Sequence, residues 1–503
     1  MIQFFASGMS PLIVMVAGAV IAAALSFYVS NRTVAGVSLA TIAATFLLLF
    51  LILFDVIPVN QNFGNVMVED DFAVVFQLIF LTVGLLSMLP SVRYIQSDRN
   101  QGEYYSLLLI SVAGMMVISA ATDLITLFVG IALTGLASAS ISAFRKKDRT
   151  GIEAAMKFYI ISALSAALAL YGISLLYGIT HTLQLSALAT SLQSISSQSP
   201  YFPTAMIALV MIIAGFGFEV AIVPFHMWAP DVYEGTPTPV SSLLSSGTKK
   251  AGLAAIFKIF IVALIAFRAE WAPIFGILAI LTMTVGNVVA LQQKSFKRML
   301  AYSSIGQAGY ILITLPVFAA AYGDPGMYGS SLQVFSISSG IFQILTHAIA
   351  TAGAFAIVAL MSSSVGGVAV DDFRGLFRNN KLISLSMTLY LLSLLGIPLL
   401  AGFDSKLLIF SSAVGASIIP GYSWVIWLAV FGIMNSAVSL IYYVRVIRNM
   451  FSDTESPPPR YSLGIPGSAS LLIALMAVVL IGIYPGPVIA VCNSAARALL
   501  SLL

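Results

Sequence analysis

Along most of the chain, apolar residues follow one another without the strict alternation of a half-buried strand or the single stripe of a surface helix. Runs of about 20 such residues are long enough to cross a bilayer. Fourteen can be marked, with cores near 11–28, 35–56, 72–89, 105–121, 124–142, 153–176, 203–223, 240–267, 274–293, 299–321, 335–361, 382–413, 424–445 and 463–491. Barrel strands need only about ten residues, so runs of this length predict helices. The expectation is an all-α polytopic membrane protein of about 14 transmembrane helices. Composition agrees: the 503 residues are 59% hydrophobic and 8% charged, with a mean hydropathy of +1.02, against about a quarter charged in soluble domains. The first apolar run is long enough to span and lacks a basic stretch before it, so it reads as a helix rather than a cleaved leader.

Charge refines the picture. With fourteen spans, the odd-numbered connections hold sixteen of the basic residues, Arg32, Arg145, Lys294, Arg374 and Arg448 among them, while the even connections and tails hold Arg268 and Arg497. The positive-inside rule places the odd connections in the cytoplasm and both termini on the outer side of a plasma membrane. Basic residues scattered over short loops do not make a nucleic-acid surface. The single cysteine, Cys492, excludes a disulfide framework and any iron–sulfur cluster held by this chain alone. Phosphate-binding loops, dinucleotide fingerprints, metal-ligand clusters and nucleophile elbows are absent, so redox and nucleotide chemistry belong elsewhere.

The remaining five lysines, Lys157, Lys249, Lys250, Lys258 and Lys406, fall inside the apolar runs, as do Glu219 and Asp404. Each charge near a bilayer centre costs about 2.5–3.5 kcal/mol on insertion scales, so such residues mark ion pathways more often than accidents. In "GFGFEVAIVPFHMWAPDVYEG", Pro224 follows Glu219 within a span. Proline removes a helical hydrogen bond, and the freed backbone needs a polar or hydrated neighbour. "LLSLLGIPLLAGFDSKLLIF" repeats the device with Pro398, then Asp404 and Lys406. Two interrupted spans suggest internal repeats around buried polar sites. Lys249 and Lys250 are adjacent, so they point about 100° apart and at most one faces a given cavity squarely. A lysine in low dielectric loses its preference for the charged form and a nearby carboxylate restores it, which makes such a pair a switchable proton carrier. His347 sits mid-span among small residues and suits a proton relay.

Plainer readings stand beside these. Lys157 lies one turn into its span, four residues after Glu153, and equally suits an interfacial ion pair. Lys258 suits a structural pair as well as a relay. Asp404 either influences Lys406 or faces the boundary. His226 suits a loop-holding role.

The blocks "VPFHMWAPDVYEGTPTPVSSLLSSGTKKAG", "GNVVALQQKSFKRMLAYSSIGQAGYILI" and "GIPLLAGFDSKLLIF" resemble the antiporter-like subunit N family of proton-pumping NADH:quinone oxidoreductases, respiratory complex I, over about 68–487. The resemblance implies N-terminal helices over 1–103, two inverted five-helix repeats over 104–267 and 268–450 with helices 7 and 12 broken, and a last helix in 451–503. It implies proton translocation without a prosthetic group in this chain. Flavin and iron–sulfur clusters would reside in partner subunits, quinone would bind elsewhere in the complex, and other membrane-arm subunits would be neighbours. The helix-eight lysine of the family falls on Lys249 and the helix-twelve lysine on Lys406. Two positions depart: the helix-five glutamate is Ala132, and the helix-seven lysine is Glu219. These departures suggest a displaced ion pair of Glu219 with Lys249 or Lys250. The alternatives are an Mrp-type cation/proton antiporter subunit and a structural subunit with a degenerate channel. The electron donor, NADH, ferredoxin or a deazaflavin, is a property of the soluble partners.

Overall fold

A computed structural model describes the chain apart from residues 1–8, 55, 57–61, 99, 366–367, 456 and 463. Arg99, the beginning of the 1–103 unit and the first residue of the span read over 463–491 therefore lie outside the described residues. Among the described residues, 11 helices are long and apolar enough to cross a membrane, and Ser10–Leu25, Lys381–Leu395 and Gly486–Leu500 are shorter apolar helices. Their starts follow local chemistry. Asp70 accepts the Ala73 N–H, Asp123 those of Ile125 and Thr126, Asp148 that of Thr150 and Ser295 that of Arg298, each satisfying donors that a helix N-terminus leaves free. A short hairpin pairs Asn62–Phe63 with Met67–Val68.

Burial sorts the helices into an inner and an outer set. The apolar windows of Phe296–Gly323 and Met327–Ser362 are 100% and 94% buried, against 28% for Arg149–Thr180 and 22% for Gly464–Ile483. The outer set exposes Leu164, Val210 and Leu480, as an envelope facing lipid would. The wholly buried Phe296–Gly323 is among the least apolar of the spans. A helix with polar residues on an enclosed face must line something polar, and this one stands against the interrupted helices.

Four of the expected spans differ in form. The 240–267 run is not one regular α-helix. Two π-turns, Leu244–Thr248 and Lys258–Ala263, flank the α-helix Lys249–Phe257, and a 3₁₀ turn over Ile265–Phe267 ends it. The 203–223 run stops at Val220, where Ala221 turns left-handed at φ 59°, so the break precedes Pro224. The 382–413 run is two half-helices, Lys381–Leu395 and Ala401–Ala416, separated around Pro398. The 463–491 run is likewise two helices, Gly464–Ile483 and Gly486–Leu500, because "YPGP" places prolines where only a helix start tolerates them.

Candidate functional site

The polar interior is organised by the lysine pair. Lys249 and Lys250 are both fully buried and open the α-helical section between the two π-turns. The Lys249 ammonium donates to the Ser304 hydroxyl at 3.1 Å and lies 5.8 Å from the Tyr233 ring centroid. Tyr233 brings its hydroxyl into electrostatic contact with Ser245, Ser304 and Glu219, without the geometry of a hydrogen bond to any of them. The helical angle between neighbours sends Lys250 to another side. Among the described residues, its ammonium has no hydrogen-bond partner.

Glu219 closes the helix Phe202–Val220 and is 5% exposed. It packs along Gly252, where an added Cβ would stand 2.9 Å from the Glu219 Cγ; the glycine makes room for the acid. The expected ion pair does not form. Among the described residues, no ammonium comes within 4.0 Å of the Glu219 carboxylate. The physical reason is position: Glu219 packs against Gly252, about one turn beyond Lys249. At the break the Phe218 carbonyl accepts both the Ala221 N–H at 2.9 Å and the Trp228 indole at 3.0 Å, and the Val223 N–H is taken by the Thr282 hydroxyl at 3.1 Å. His226 is half-buried beyond the break, with Nδ1 unpartnered. Ala132 lies half-buried on Leu124–Ser142.

The second break is capped differently. Lys406, from the half-helix after the break, donates to the Leu395 carbonyl that ends the half-helix before it, at 2.8 Å, and to the Ser436 hydroxyl at 2.9 Å. An ammonium at a helix C-terminus meets both an orphan acceptor and the negative end of the dipole. Gly396 turns left-handed at φ 94°, and a Cβ there would press on the Lys406 Cδ at 3.1 Å. The lysine also lies 5.0 Å from the Tyr310 ring centroid. Asp404 is two residues away on a partly exposed flank and makes no ion pair with it among the described residues.

Between the lysines runs a bridge of amides and imidazole. His347 is 3% exposed, shares a 3.1 Å hydrogen bond with Thr351 and leaves Nδ1 unpartnered. One turn earlier on its helix, Gln343 donates to Gln307 at 2.7 Å, and Gln307 donates to the Leu394 carbonyl at 3.0 Å. A small cavity joins Gln307, Gln343, His347 and Lys406.

On the face carrying the basic loops, a cavity of about 630 Å³ opens among Arg145, Asp148, Glu234, Lys294, Lys297 and Asp372. From its floor, Lys297 donates to the Thr236 carbonyl at 2.6 Å, the Thr236 hydroxyl meets Ser241 at 2.9 Å, and Ser241 donates to the Tyr233 carbonyl at 2.8 Å. Polar atoms thus continue from the vestibule to the residue beside Lys249. At its rim, burial alone would raise Asp231, but hydrogen bonds from Lys157 and Arg298 outweigh it and hold the carboxyl below its ordinary range.

Of the residues singled out from sequence, Glu219, Lys249, Lys250, His347 and Lys406 come together in the interior. Lys157 does not: it pairs at the surface with Glu153 at 2.8 Å and Asp231 at 3.1 Å. Lys258 lies at the far end of its helix, bonded to the Ala121 carbonyl at 2.7 Å. Sequence reasoning missed Tyr233, Ser304, Gln307 and Gln343. The signal was present for the middle pair, since Ser304 and Gln307 recur at helical spacing in "YSSIGQAGY".

Comparison with known proteins bears on this arrangement. The profile of the transmembrane family "NADH:quinone oxidoreductase/Mrp antiporter" matches residues 121–436. F(420)H(2) dehydrogenase subunit N of Methanosarcina mazei is 38% identical over 447 residues, 87% of this chain and 86% of that one. NADH-quinone oxidoreductase subunit N of Desulforamulus reducens is 37% identical over 432 residues, 86% and 85% of the two chains. Among solved structures, a chain of respiratory complex I from Thermus thermophilus superposes with a TM-score of 0.77 at 29% identity, covering 96% of this chain and 99% of that one. A chain of the Mrp complex from Dietzia, 20% identical with a TM-score of 0.81 over 99% and 97% of the chains, shares the fold. The interrupted helices and buried lysines are thus set in a known frame: this chain belongs to the NADH:quinone oxidoreductase/Mrp antiporter transmembrane family.

Proposed function

We propose that this protein is the proton-translocating membrane-arm subunit of a redox-driven, complex I-like quinone oxidoreductase. The observation that carries the reading is the set of fully enclosed ionisable side chains, Lys249, Lys250, His347 and Lys406, joined by hydroxyls and amides across two interrupted helices. Buried, unpartnered polar atoms cost about 1–3 kcal/mol each. The Tyr233 hydroxyl, Ser245, Ser246, Lys250, Gln343 and His347 Nδ1 are all of this kind, and water threading between them would satisfy them and carry protons. A proton enters at the vestibule on the basic face and passes the Thr236, Ser241 and Tyr233 groups to Lys249. Lys250 hands it to His347, and Gln343 and Gln307 bridge to Lys406, whose amine releases the Leu395 carbonyl when it moves. Glu219 acts as the acid beside Tyr233.

The broken helices fit two inverted repeats over 104–267 and 268–450. The basic loops fit a cytoplasmic face, with both termini outside. Redox cofactors and quinone reside in partner subunits, and energy reaches this chain through its membrane neighbours. The test is Lys249→Met in the assembled complex reconstituted into vesicles. Electron transfer should continue or slow while proton uptake by the vesicles falls at least about tenfold; wild-type proton yield per electron would overturn the reading. The shared fold with an Mrp complex supports one rival, cation/proton exchange, which predicts strict sodium dependence in the same vesicles.

A further inference from the structure

The far end of the same helix carries a buried charge cluster that the path above leaves unused. Lys258 is fully buried and opens the second π-turn, and such turns recur at functional positions. It stands nine residues beyond Lys249, about 13 Å along the axis, at the face away from the basic loops. Its ammonium donates to the Ala121 carbonyl at 2.7 Å and lies 5.3 Å from the Phe72 ring centroid. Glu69 and Asp70, just before the helix Asp71–Tyr94, both lie within its electrostatic reach, yet neither pairs with it within 4.0 Å.

The acceptors here outnumber their donors. Asp70 uses one oxygen to cap the Ala73 N–H at 2.7 Å and leaves Oδ2 unpartnered. Glu69, 5% exposed, accepts from the Gln77 amide at 3.1 Å and leaves Oε1 unpartnered. The Gln77 carbonyl oxygen, on a residue 1% exposed, is also unpartnered. A structural salt bridge would have closed on the lysine, and a helix cap needed only Asp70. Three unmet acceptors around a second, enclosed carboxyl call for a mobile proton. Along the chain, Gly252, on which Glu219 packs, lies between Lys249 and Lys258.

We propose that Glu69, held by Gln77 and faced by Asp70 and Lys258, is the proton-exchange group through which the first half of the path meets the medium opposite the basic loops. This rests on the translocation reading above. The step is a simple ionisation: the Glu69 O–H gives its proton to water, and the carboxylate left behind is balanced by the Lys258 ammonium. Burial, opposed in part by the Gln77 hydrogen bond, pushes the Glu69 carboxyl up to about 8, with Asp70 raising it further and Lys258 opposing. It therefore holds its proton at neutral pH and yields it in mildly alkaline medium. The other ionisable neighbours are Asp71, which engages Ser494 on the helix Gly486–Leu500, and the buried Cys492 of that helix, which packs on both the π-turn and Asp71–Tyr94.

The test compares Glu69→Gln, Glu69→Asp and Lys249→Met in the assembled complex in vesicles, following electron transfer and proton movement between pH 6 and 9. Glu69→Gln should lower the proton yield several-fold and flatten its dependence near pH 8. Glu69→Asp should restore the yield with the profile moved to lower pH. Wild-type yield and profile in Glu69→Gln would overturn the proposal. If Lys249→Met stops translocation while Glu69→Gln does not, the outlet alone is wrong; if neither does, the translocation reading fails. Should Glu69→Gln not assemble, infrared difference spectra of the Glu219→Gln complex decide. A protonated carboxyl band titrating near pH 8 supports the proposal, and its absence overturns it.

Discussion

At the scale of single residues, the lysines are held in three different ways, and each implies a different consequence of substitution. Lys406 depends on a glycine: Gly396 supplies both the left-handed turn and the space for its stem. A side chain in that conformation costs about 1–2 kcal/mol. Gly396→Ala should lower the thermal midpoint of the purified complex and reduce translocation together, since the displaced Lys406 loses the Leu395 carbonyl. Lys250 has no partner to lose. Lys250→Met should leave stability unchanged or raised, because an unpaired buried amine is removed, while the proton yield in vesicles falls at least about tenfold. Lys157 is a surface residue in an ion-pair network with Glu153 and Asp231, screened by solvent. Its partner Asp231 is held below the ordinary carboxylate range. The network's contribution is therefore present above the unfolded-state value, about pH 4, and fades as pH falls through the lower folded value. Asp231→Asn should cost no more than about 1 kcal/mol in thermal melts at pH 7, and the difference from wild type should vanish in acid. In the sequence all three are charges inside apolar runs, and only Lys157, four residues after Glu153, offered an interfacial ion pair as an equal reading; burial and partners separate Lys250 from Lys406.

At the scale of elements, the interruptions set where the buried polar groups meet. Prolines at 224 and 398 announced them in the sequence, but the first break is made at Ala221 and stabilised by Trp228 on the Phe218 carbonyl. Trp228→Phe should cost about 0.5–1.5 kcal/mol, the net worth of one hydrogen bond, since the Phe218 carbonyl keeps the Ala221 N–H, read as a lower midpoint in detergent. The long run near the C-terminus read as one span, and "YPGP" divides it. Hydropathy averages over a window and passes through a short break, whereas two prolines and a glycine act at single peptide units.

At the scale of the whole molecule, the arrangement is a polar seam inside an apolar bundle. It begins at a vestibule among the basic loops and runs laterally through the lysines and His347. If the seam carries protons, translocation should proceed when sodium is replaced by choline in reconstituted vesicles; a strict sodium requirement would favour exchange of cations for protons. The fully buried helix carrying Ser304 and Gln307 forms the wall of this seam. Its low apolarity was visible in the sequence, but its enclosure was not.

The sequence alone determined that the chain lives in a membrane as helices, which face of it is basic and which charges are stranded in apolar surroundings. These are sums over many residues, and transfer free energy is nearly additive along a chain. The tertiary structure decided which stranded charges meet. It set Tyr233 beside Lys249 and Glu219 against Gly252, seated Lys406 on a broken helix end and gathered Glu69, Asp70 and Lys258 at the far face. Such meetings depend on side-chain direction and on where helices stop, and a shift of one residue turns a helical side chain by about 100°.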